Sequence, residues 1–273
     1  MAGAAKTPAS VPPTGGALVE LTVADHVATL TLANPERRNV LDVPMATALR
    51  EAAESVAAND EVRCAIVTGT DSVFAAGADI NEIEDASAEE NLAYNRQLRA
   101  AVNAVATLPV PTIAAVNGHA VGGGGLELAL ACTLRVADEG AKLGMPEARL
   151  GILPATGGLA RLPRLIAPGA AARLLLTGDL VSGAEAEDLG MVERAVPAAD
   201  VHKEALALAA RIVTAAPLAT RAIVDALRRD SLLSIADANV RTEDRLALLL
   251  ESEDRREGAR AFLERRDPEF RGS

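Results

Sequence analysis

Apolar and polar positions recur along this chain with two different periods, which predicts strands and helices in turn. Runs of aliphatic residues predict strands, and longer stretches with an apolar residue every three or four positions predict helices. The predicted elements are strands over 17–23 and 26–32, a helix over 44–58, a strand over 62–68, a helix from 87 to about 107, a strand over 112–116, a helix over 126–131, and strands over 134–137 and 192–196. The repeated order of strand, loop and helix favours an α/β fold made of crossover units.

Residues with a capping or turn role support several of these boundaries. Asp42 stands just before Pro44, in the arrangement of a helix cap with proline in the first turn. Ser87 and Glu90 have the spacing of a capping box. Ala24-Asp25 lies between the first two strands and predicts a hairpin turn.

Three segments differ in composition and predict three parts of the molecule. Residues 1–16 are rich in Ala, Pro, Thr and Gly and lack an apolar stretch, which predicts a flexible tail and not a signal peptide. Residues 17–200 carry the strand and helix pattern of the core. Residues 201–273 are predicted to form amphipathic helices rich in Arg and Glu, which could cover the core or mediate oligomerisation.

Composition and charge narrow the range of partners. The chain has 273 residues, of which 49% are hydrophobic, so a large core is available. The formal net charge of −11 argues against nucleic acid as a partner. No apolar run is long enough for a membrane span, and a soluble cytoplasmic protein is expected. Cys64 and Cys132 lie in apolar contexts and are predicted to be buried, reduced thiols.

Two glutamates near turn-rich segments are the best candidates for chemistry. Glu127 follows the four glycines 122–125, and Glu147 follows Pro146 twenty positions later. Two carboxyl groups held together can divide acid and base work, and a glycine run that enters a helix exposes N–H groups that bind an anion. Taken singly, Glu127 would be a solvated acid, the glycine run a tight turn, and Glu147 an acid at the start of a helix. If they share one pocket, they predict an enzyme of carbonyl chemistry.

Six ordered motifs make the chain resemble the crotonase superfamily, the enoyl-CoA hydratase/isomerase proteins, over roughly residues 18–270. The motifs are FAAGADI at 74–80, AAVNGHAVGGG at 114–124, Pro146-Glu147 with Gly157-Gly158, LTGD at 176–179, GMV at 190–192 and DRREG at 254–258. The resemblance implies a crotonase-like spiral of ββα units followed by C-terminal helices that pack across subunits. It also implies a homotrimer or a dimer of trimers.

The same resemblance implies an acyl-CoA substrate and no cofactor other than the coenzyme A that the substrate carries. Three histidines without ligand spacing predict no metal site. By resemblance, the oxyanion hole consists of the backbone N–H groups of Ala78 and Gly124. The family usually has two or three glycines here, so counting from the start of the four-glycine run selects Gly123 instead. The separation of twenty residues between Glu127 and Glu147 matches that of the family and places the extra glycine upstream of Glu127. Counting back from Glu127 therefore favours Gly124.

A further group of residues is assigned to the substrate and its coenzyme A by the same resemblance. These residues are Arg37, Arg38, Asn39, Ala76, Asp79 and Ile80. A basic loop at 37–39 in an acidic protein suits a phosphate ligand, and a solvated turn is the alternative. Asp79 could equally be a structural cap of the following turn.

Retention of both glutamates favours a hydratase that adds water to a 2-trans-enoyl-CoA in fatty acid metabolism. In the family's hydratases, the residue matching Glu147 delivers the α-proton and the residue matching Glu127 takes a proton from water. One alternative is a Δ3/Δ2-enoyl-CoA isomerase or another crotonase-type reaction, which relies mainly on Glu147. Another is a catalytically idle acyl-CoA-binding protein, in which the extra glycine deforms the oxyanion hole.

Overall fold

Two sheets, one of six strands and one of four, form the β-structure of the computed structural model, which describes residues 17–70 and 72–273. The predicted tail 1–16 lies outside the described residues. The strands are β1 Val19–Ala24, β2 Val27–Leu32, β3 Cys64–Gly69, β4 Val73–Ala75, β5 Thr112–Val116, β6 His119–Val121, β7 Leu134–Asp138, β8 Lys142–Gly144, β9 Val181–Ser182 and β10 Arg194–Val196.

The larger sheet has the order β1-β2-β3-β5-β7-β10 and is parallel from β2 onward, whereas β1 and β2 form the predicted antiparallel hairpin. The smaller sheet has the order β4-β6-β8-β9, with only β9 antiparallel. The strands predicted from their apolar runs lie in the larger sheet. The strands of the smaller sheet have two or three residues each and were not predicted, since so short a run has no readable period.

Eleven α-helices occur in the described residues. They are α1 Val43–Ala57, α2 Asn81–Glu84, α3 Ala88–Ala106, α4 Leu126–Ala131, α5 Gly158–Leu165, α6 Pro168–Thr177, α7 Gly183–Asp188, α8 Val201–Val213, α9 Pro217–Arg229, α10 Ile235–Glu251 and α11 Glu253–Glu264. The predicted caps are confirmed: Asp42 accepts from the N–H of Met45 at 2.9 Å, and Ser87 forms a full capping box with Glu90.

The larger sheet is buried on both faces, as a parallel sheet requires. Ala65 and Val67 of β3 face the main core, together with residues of the smaller sheet such as Phe74. Ile66 points the other way, into a second cluster that α8 closes with Val201 and other small apolar residues. The apolar run predicted as a buried strand is therefore buried by two separate layers.

A single unit recurs through the core. Each of the pairs β3–β4, β5–β6 and β7–β8 places its first strand in the larger sheet and its second in the smaller sheet, and helices follow each pair. This is the spiral of ββα units that the resemblance to the crotonase superfamily implies. Strands β4, β6 and β8 lie side by side and parallel in the smaller sheet. The loops that follow them therefore come together at the carboxyl ends of these strands.

The C-terminal region is helical, as predicted. Its first helix, α8, packs on the larger sheet, whereas α9, α10 and α11 carry most of their large apolar side chains exposed. A domain boundary near residue 200 stays a prediction. No single described helix is long and apolar enough to cross a membrane. The helix pair Ala198–Val213 and Pro217–Arg229, bent by 112°, has the necessary length and composition only when the two are taken together.

Candidate active site

The two glutamates follow neighbouring strands of the smaller sheet. Strands β6 and β8 pair in parallel with Val121 opposite Gly144, and the N–H of Gly122 donates to the carbonyl of Gly144 at 2.8 Å. Glu127 lies in the first turn of α4 shortly after β6, and Glu147 lies at the start of a 3-10 helix shortly after β8. Because the carboxyl ends of neighbouring parallel strands lie side by side, this register brings both acids to the same end of the two strands.

The glycine run separates the two carboxyl groups. A Cβ atom built on Gly123 would lie 3.2 Å from Oε2 of Glu127 and 3.9 Å from Oε1 of Glu147. Since their separation cannot exceed the sum of 3.2 and 3.9 Å, these two oxygens are no more than about 7 Å apart. A side chain at Gly123 would enter the space between them, so glycine here lets the two carboxyl groups face each other without a side chain in between.

Glu127 is fully buried and its carboxylate is held by three donors. The hydroxyl of Thr156 donates to Oε2 at 2.7 Å, and the Thr156 N–H lies 3.1 Å from Oε1 and 3.2 Å from Oε2. The N–H of Gly158, at the start of α5, donates to Oε1. Donors to a carboxylate stabilise its charged form and fix its orientation.

Glu147 has the opposite environment. It is buried, and neither carboxyl oxygen has a hydrogen-bond partner among the described residues. Burial, and then the charge of Glu127, raise the pKa of Glu147 from its ordinary value of 4.5 to about 7. The amides of Glu147 itself and of Gly123 oppose this rise, although neither meets hydrogen-bond geometry to the carboxyl oxygens.

Backbone N–H groups without an acceptor lie beside these acids. Within the described residues, the amides of Ala78, Gly123 and Gly124 donate to no backbone or side-chain acceptor. Gly77 lies against the Val121–Gly122 backbone, because a Cβ on it would be 2.7 Å from the carbonyl oxygen of Val121. The Ala78 loop and the glycine run are therefore in contact.

The two candidate glycines differ in what their backbone faces. Gly123 faces both carboxyl groups, and its amide lies near Glu147. Gly124 has a φ of +93°, and a Cβ on it would lie 2.4 Å from Cβ of Leu41, which forms a β-bridge with Ala78. Of the two, Gly124 is thus the one placed beside the residue that bridges to Ala78.

A comparison with known protein families shows to which family this chain belongs. A family model described as enoyl-CoA hydratase/isomerase matches residues 22–273. The chain belongs to the enoyl-CoA hydratase/isomerase family.

Relatives of known name and structure agree with this assignment. The 2,3-dehydroadipyl-CoA hydratase of Escherichia coli K12 is 36% identical over 248 residues, which cover 90% of this chain and 96% of that protein. The crystal structure of an enoyl-CoA hydratase from Bacillus anthracis superposes with a TM-score of 0.90 at 33% identity, covering 94% of this chain and all of that one. An enoyl-CoA hydratase structure from Geobacillus kaustophilus has a TM-score of 0.88 at 38% identity, covering 94% and 98% of the two chains. The predicted crotonase-like fold is confirmed.

The loop that the resemblance assigns to coenzyme A is tied to the core of this family member by ion pairs. Arg37 donates to Asp42 and to Asp79, two buried acids. Asp79 also accepts from the N–H and the side-chain amide of Asn81, at 3.1 and 2.9 Å. Asp79 thus has the contacts of a structural cap, which the sequence left open, and the Arg37 guanidinium is already paired.

The other predicted coenzyme A residues differ in how much of them a ligand could reach. Asn39 is fully buried and its amide donates to the carbonyl of Val73, so its contacts are those of a loop brace. Arg38 is exposed, its side chain has no polar partner among the described residues, and its carbonyl accepts from the Ala76 N–H. Ile80 is 56% exposed at the start of α2. Contacts of these residues with a ligand stay predictions.

Two residues of the site were missed from the sequence. Thr156 was not singled out, because a threonine between turn residues has no distinguishing pattern. Tyr94 lies in the middle of α3, where its spacing is that of a core residue. Its hydroxyl accepts from the N–H of Asp79 at 2.9 Å and donates to the carbonyl of Leu41 at 3.1 Å, so it holds the Ala78 loop in place.

Cys64 and Cys132 are buried and form no disulfide, as predicted, and neither belongs to the site around the two glutamates. Burial raises the pKa of Cys64 and of Cys132 to about 12, so both are thiols at neutral pH. In the part of the chain that the structure describes, no three His, Cys, Asp or Glu residues are grouped as metal ligands would be.

Proposed function

We propose that this protein is an enoyl-CoA hydratase, which adds water across the double bond of a 2-trans-enoyl-CoA thioester. The observation that carries the proposal is the unequal environment of two carboxyl groups no more than about 7 Å apart. Glu127 is held by three donors and Glu147 by none, with a pKa of about 7. Two carboxyl groups in such unequal environments can divide the work of base and acid between them.

The thioester carbonyl would be activated by the free N–H groups of Ala78 and Gly124. Water adds to C3 only if negative charge can accumulate on the thioester oxygen, and two preorganised donors stabilise that enolate. Loss of one such donor typically costs roughly 3–4 kcal/mol of transition-state stabilisation. We assign the second donor to Gly124 and not to Gly123, because the amide of Gly123 lies near Glu147.

Each glutamate then has one proton to move. Glu127 takes a proton from the attacking water, the hydroxide oxygen bonds to C3, and the electron pair of the double bond moves to the enolate. Glu147 gives its proton to C2 as the enolate collapses, which completes the addition of one water. Glu127 ends protonated and Glu147 ionised, so a proton must return between them, over a gap that bridging water can span.

Substrate binding follows from the same proposal. Coenzyme A would lie along the 37–39 loop, with Arg38 as the available cation, since Arg37 is paired with Asp42 and Asp79. The reaction requires no redox change and no cofactor beyond the coenzyme A of the substrate. The names of relatives as enoyl-CoA hydratases support a place in fatty acid metabolism.

We further propose that the protein is a homotrimer or a dimer of trimers that uses its C-terminal helices as the contact. Large apolar side chains of α10 and α11 are exposed in the single chain: Ile235 at 81%, Leu248 at 75%, Phe262 at 83% and Leu263 at 82%. Apolar surface of this kind on consecutive helices is stabilised when another subunit covers it. Light scattering of the purified protein would measure the subunit number.

Glutamine variants separate hydration from isomerisation. With crotonyl-CoA as substrate, Glu127→Gln and Glu147→Gln should each lower hydration by at least about a thousandfold, because each loses one of two proton transfers. Glu51→Gln, on the exposed face of α1, is the matched control and should retain full activity.

The same variants test the alternatives with a 3-enoyl-CoA substrate. An isomerase would survive Glu127→Gln, because it moves its proton through Glu147 alone. An idle acyl-CoA-binding protein would bind the thioesters tightly and turn over neither substrate in its native form. Either result would replace the hydratase assignment.

A further inference from the structure

A cavity lies at the far end of α4, away from the carboxyl pair. Its volume is about 720 Å³, and residues from the ends of α3 and α4 and from α5 and α9 line it. Five of the lining residues are arginines and none is acidic: Arg135, Arg161, Arg164, Arg228 and Arg229. In a chain with a net charge of −11, this cavity concentrates positive charge.

Two of these arginines are neutralised by acids outside the cavity. Arg135 is buried and pairs with Glu193, and Arg229 pairs with Asp225 on its own helix. These two guanidinium groups therefore have the structural role that buried or helical ion pairs usually have. They leave three cations to account for.

The other three arginines form no ion pair among the described residues, although the charge of Glu127 acts on Arg161 and that of Asp225 acts on Arg228 from a longer distance. Arg161 donates to the carbonyl of Thr156 and to the side-chain oxygen of Asn103, both at 3.0 Å. Arg228 donates through Nη1 to the carbonyl of Leu108, but its Nη2 is buried and has no hydrogen-bond partner. Arg164 is exposed and has no polar partner in the described part of the chain.

Guanidinium groups without an ion-pair partner are energetically unfavourable in a partly buried cavity unless an anion binds to them. Burial lowers the pKa of Arg161 and of Arg228, which reflects the cost of holding their charge there. Ser231 lines the same cavity and adds a neutral hydroxyl donor, whereas the Thr107 hydroxyl already donates to the carbonyl of Asn103 at 2.8 Å. The geometry of a guanidinium suits an oxyanion, because its planar N–H groups can bond two oxygens at once.

We propose that this cavity is a binding site for a small oxyanion, a molecule that carries a phosphoryl or carboxylate group. Arg164 provides an exposed guanidinium without a partner, Arg228 lines the cavity beside it, and Arg161 connects the cavity wall to Thr156. The cavity is large enough for more than an inorganic ion, since ligand pockets typically begin at about 300 Å³. The site is separate from the acid and base pair, although Arg161 contacts Thr156, which holds Glu127.

Direct binding tests the proposal without relying on turnover. Pyrophosphate and citrate, as phosphoryl and carboxylate probes, are titrated into the full-length protein by calorimetry at constant ionic strength. We expect saturable binding of at least one probe and about a tenfold loss of affinity in Arg164→Gln, the loss that removal of one charge-assisted hydrogen bond predicts. Arg228→Gln should weaken binding as well, because it removes a second positive charge from the cavity wall.

The control is Arg99→Gln, which removes the same charge from the exposed side of α3 and should leave probe affinity unchanged. Arg164 is exposed, so its variant is expected to fold even if the Arg228 variant does not. The proposal is overturned if neither probe binds saturably, or if Arg164→Gln and Arg99→Gln bind equally well. Loss of coenzyme A affinity in parallel with probe affinity would also overturn it, because the cavity would then be part of the substrate site.

Discussion

The hydroxyl of Thr156 is expected to be the side-chain group that fixes the base. Thr156 is 1% exposed, and Oγ1 donates to Oε2 of Glu127 at 2.7 Å, while two backbone N–H groups provide the other bonds. Thr156→Val replaces the hydroxyl with a methyl of similar size and leaves the backbone donors in place. The substitution therefore removes one charge-assisted hydrogen bond without opening a cavity.

The expected loss follows from the kind of bond that is removed. A hydrogen bond to a charged group contributes about 1.5–3 kcal/mol, compared with about 1 kcal/mol for one between neutral groups. Thr156→Val should lower the free energy of unfolding by about 1.5–3 kcal/mol. In a Glu127→Gln background the same change should cost only about 1 kcal/mol, because the acceptor is neutral. The difference between the two backgrounds is the coupling energy of the pair.

Urea denaturation of four proteins measures this cycle: wild type, each single variant and the double variant. Hydration of crotonyl-CoA is measured in parallel, and we expect Thr156→Val to lower kcat about tenfold or more because Glu127 loses its fixed orientation. Thr156→Ser keeps the hydroxyl and should retain most of both quantities. If Thr156→Val matches Thr156→Ser in stability and rate, Thr156 does not hold the base and the reasoning is wrong.

Two further predictions concern Glu147 and the glycine run. Hydration should fall as pH rises through about 7, where Glu147 loses its proton. The pKa of Glu147 in the folded protein lies above its ordinary value of 4.5, so the stability that this group contributes is present below about pH 4.5 and is lost as pH rises through about 7. Glu147→Gln should therefore flatten the dependence of the free energy of unfolding on pH in this range. Gly124→Ala should lower the free energy of unfolding by about 2–5 kcal/mol and remove activity, since a Cβ there strains a positive φ and meets Leu41 at 2.4 Å. Gly169→Ala, where a Cβ meets nothing within 4 Å, is its control and should be neutral; equal losses in both would contradict the strain argument.

The sequence predicted the larger sheet well because its strands are long apolar runs between clear stops. The strand predicted over 112–116 and the helix predicted over 126–131 have those same bounds in the structure. The smaller sheet was missed, although it is the sheet that positions both glutamates. Its strands are two or three residues long and depend on contacts between distant segments, such as the pairing of Val121 with Gly144, which no local pattern encodes.

The candidate site was predictable where a motif marked it and not where a tertiary contact formed it. The spacing of Glu127 and Glu147 indicated two acids, but their unequal environments depend on where Thr156 and Gly158 fold. The basic loop suggested a phosphate contact from Arg37, yet folding places Asp42 and Asp79 against it. Charge in a sequence thus indicates a possible ligand, and the fold decides whether that charge is still available.

In the proposed reaction, the two glutamates together add one water to an enoyl thioester. The most direct test is mass spectrometry of crotonyl-CoA after incubation with the protein in water labelled with oxygen-18 and deuterium. We expect a product heavier by one labelled water, with oxygen-18 at C3 and deuterium at C2, and almost no such product from Glu127→Gln or Glu147→Gln. An unchanged thioester with the native protein, or full product from either variant, would contradict it.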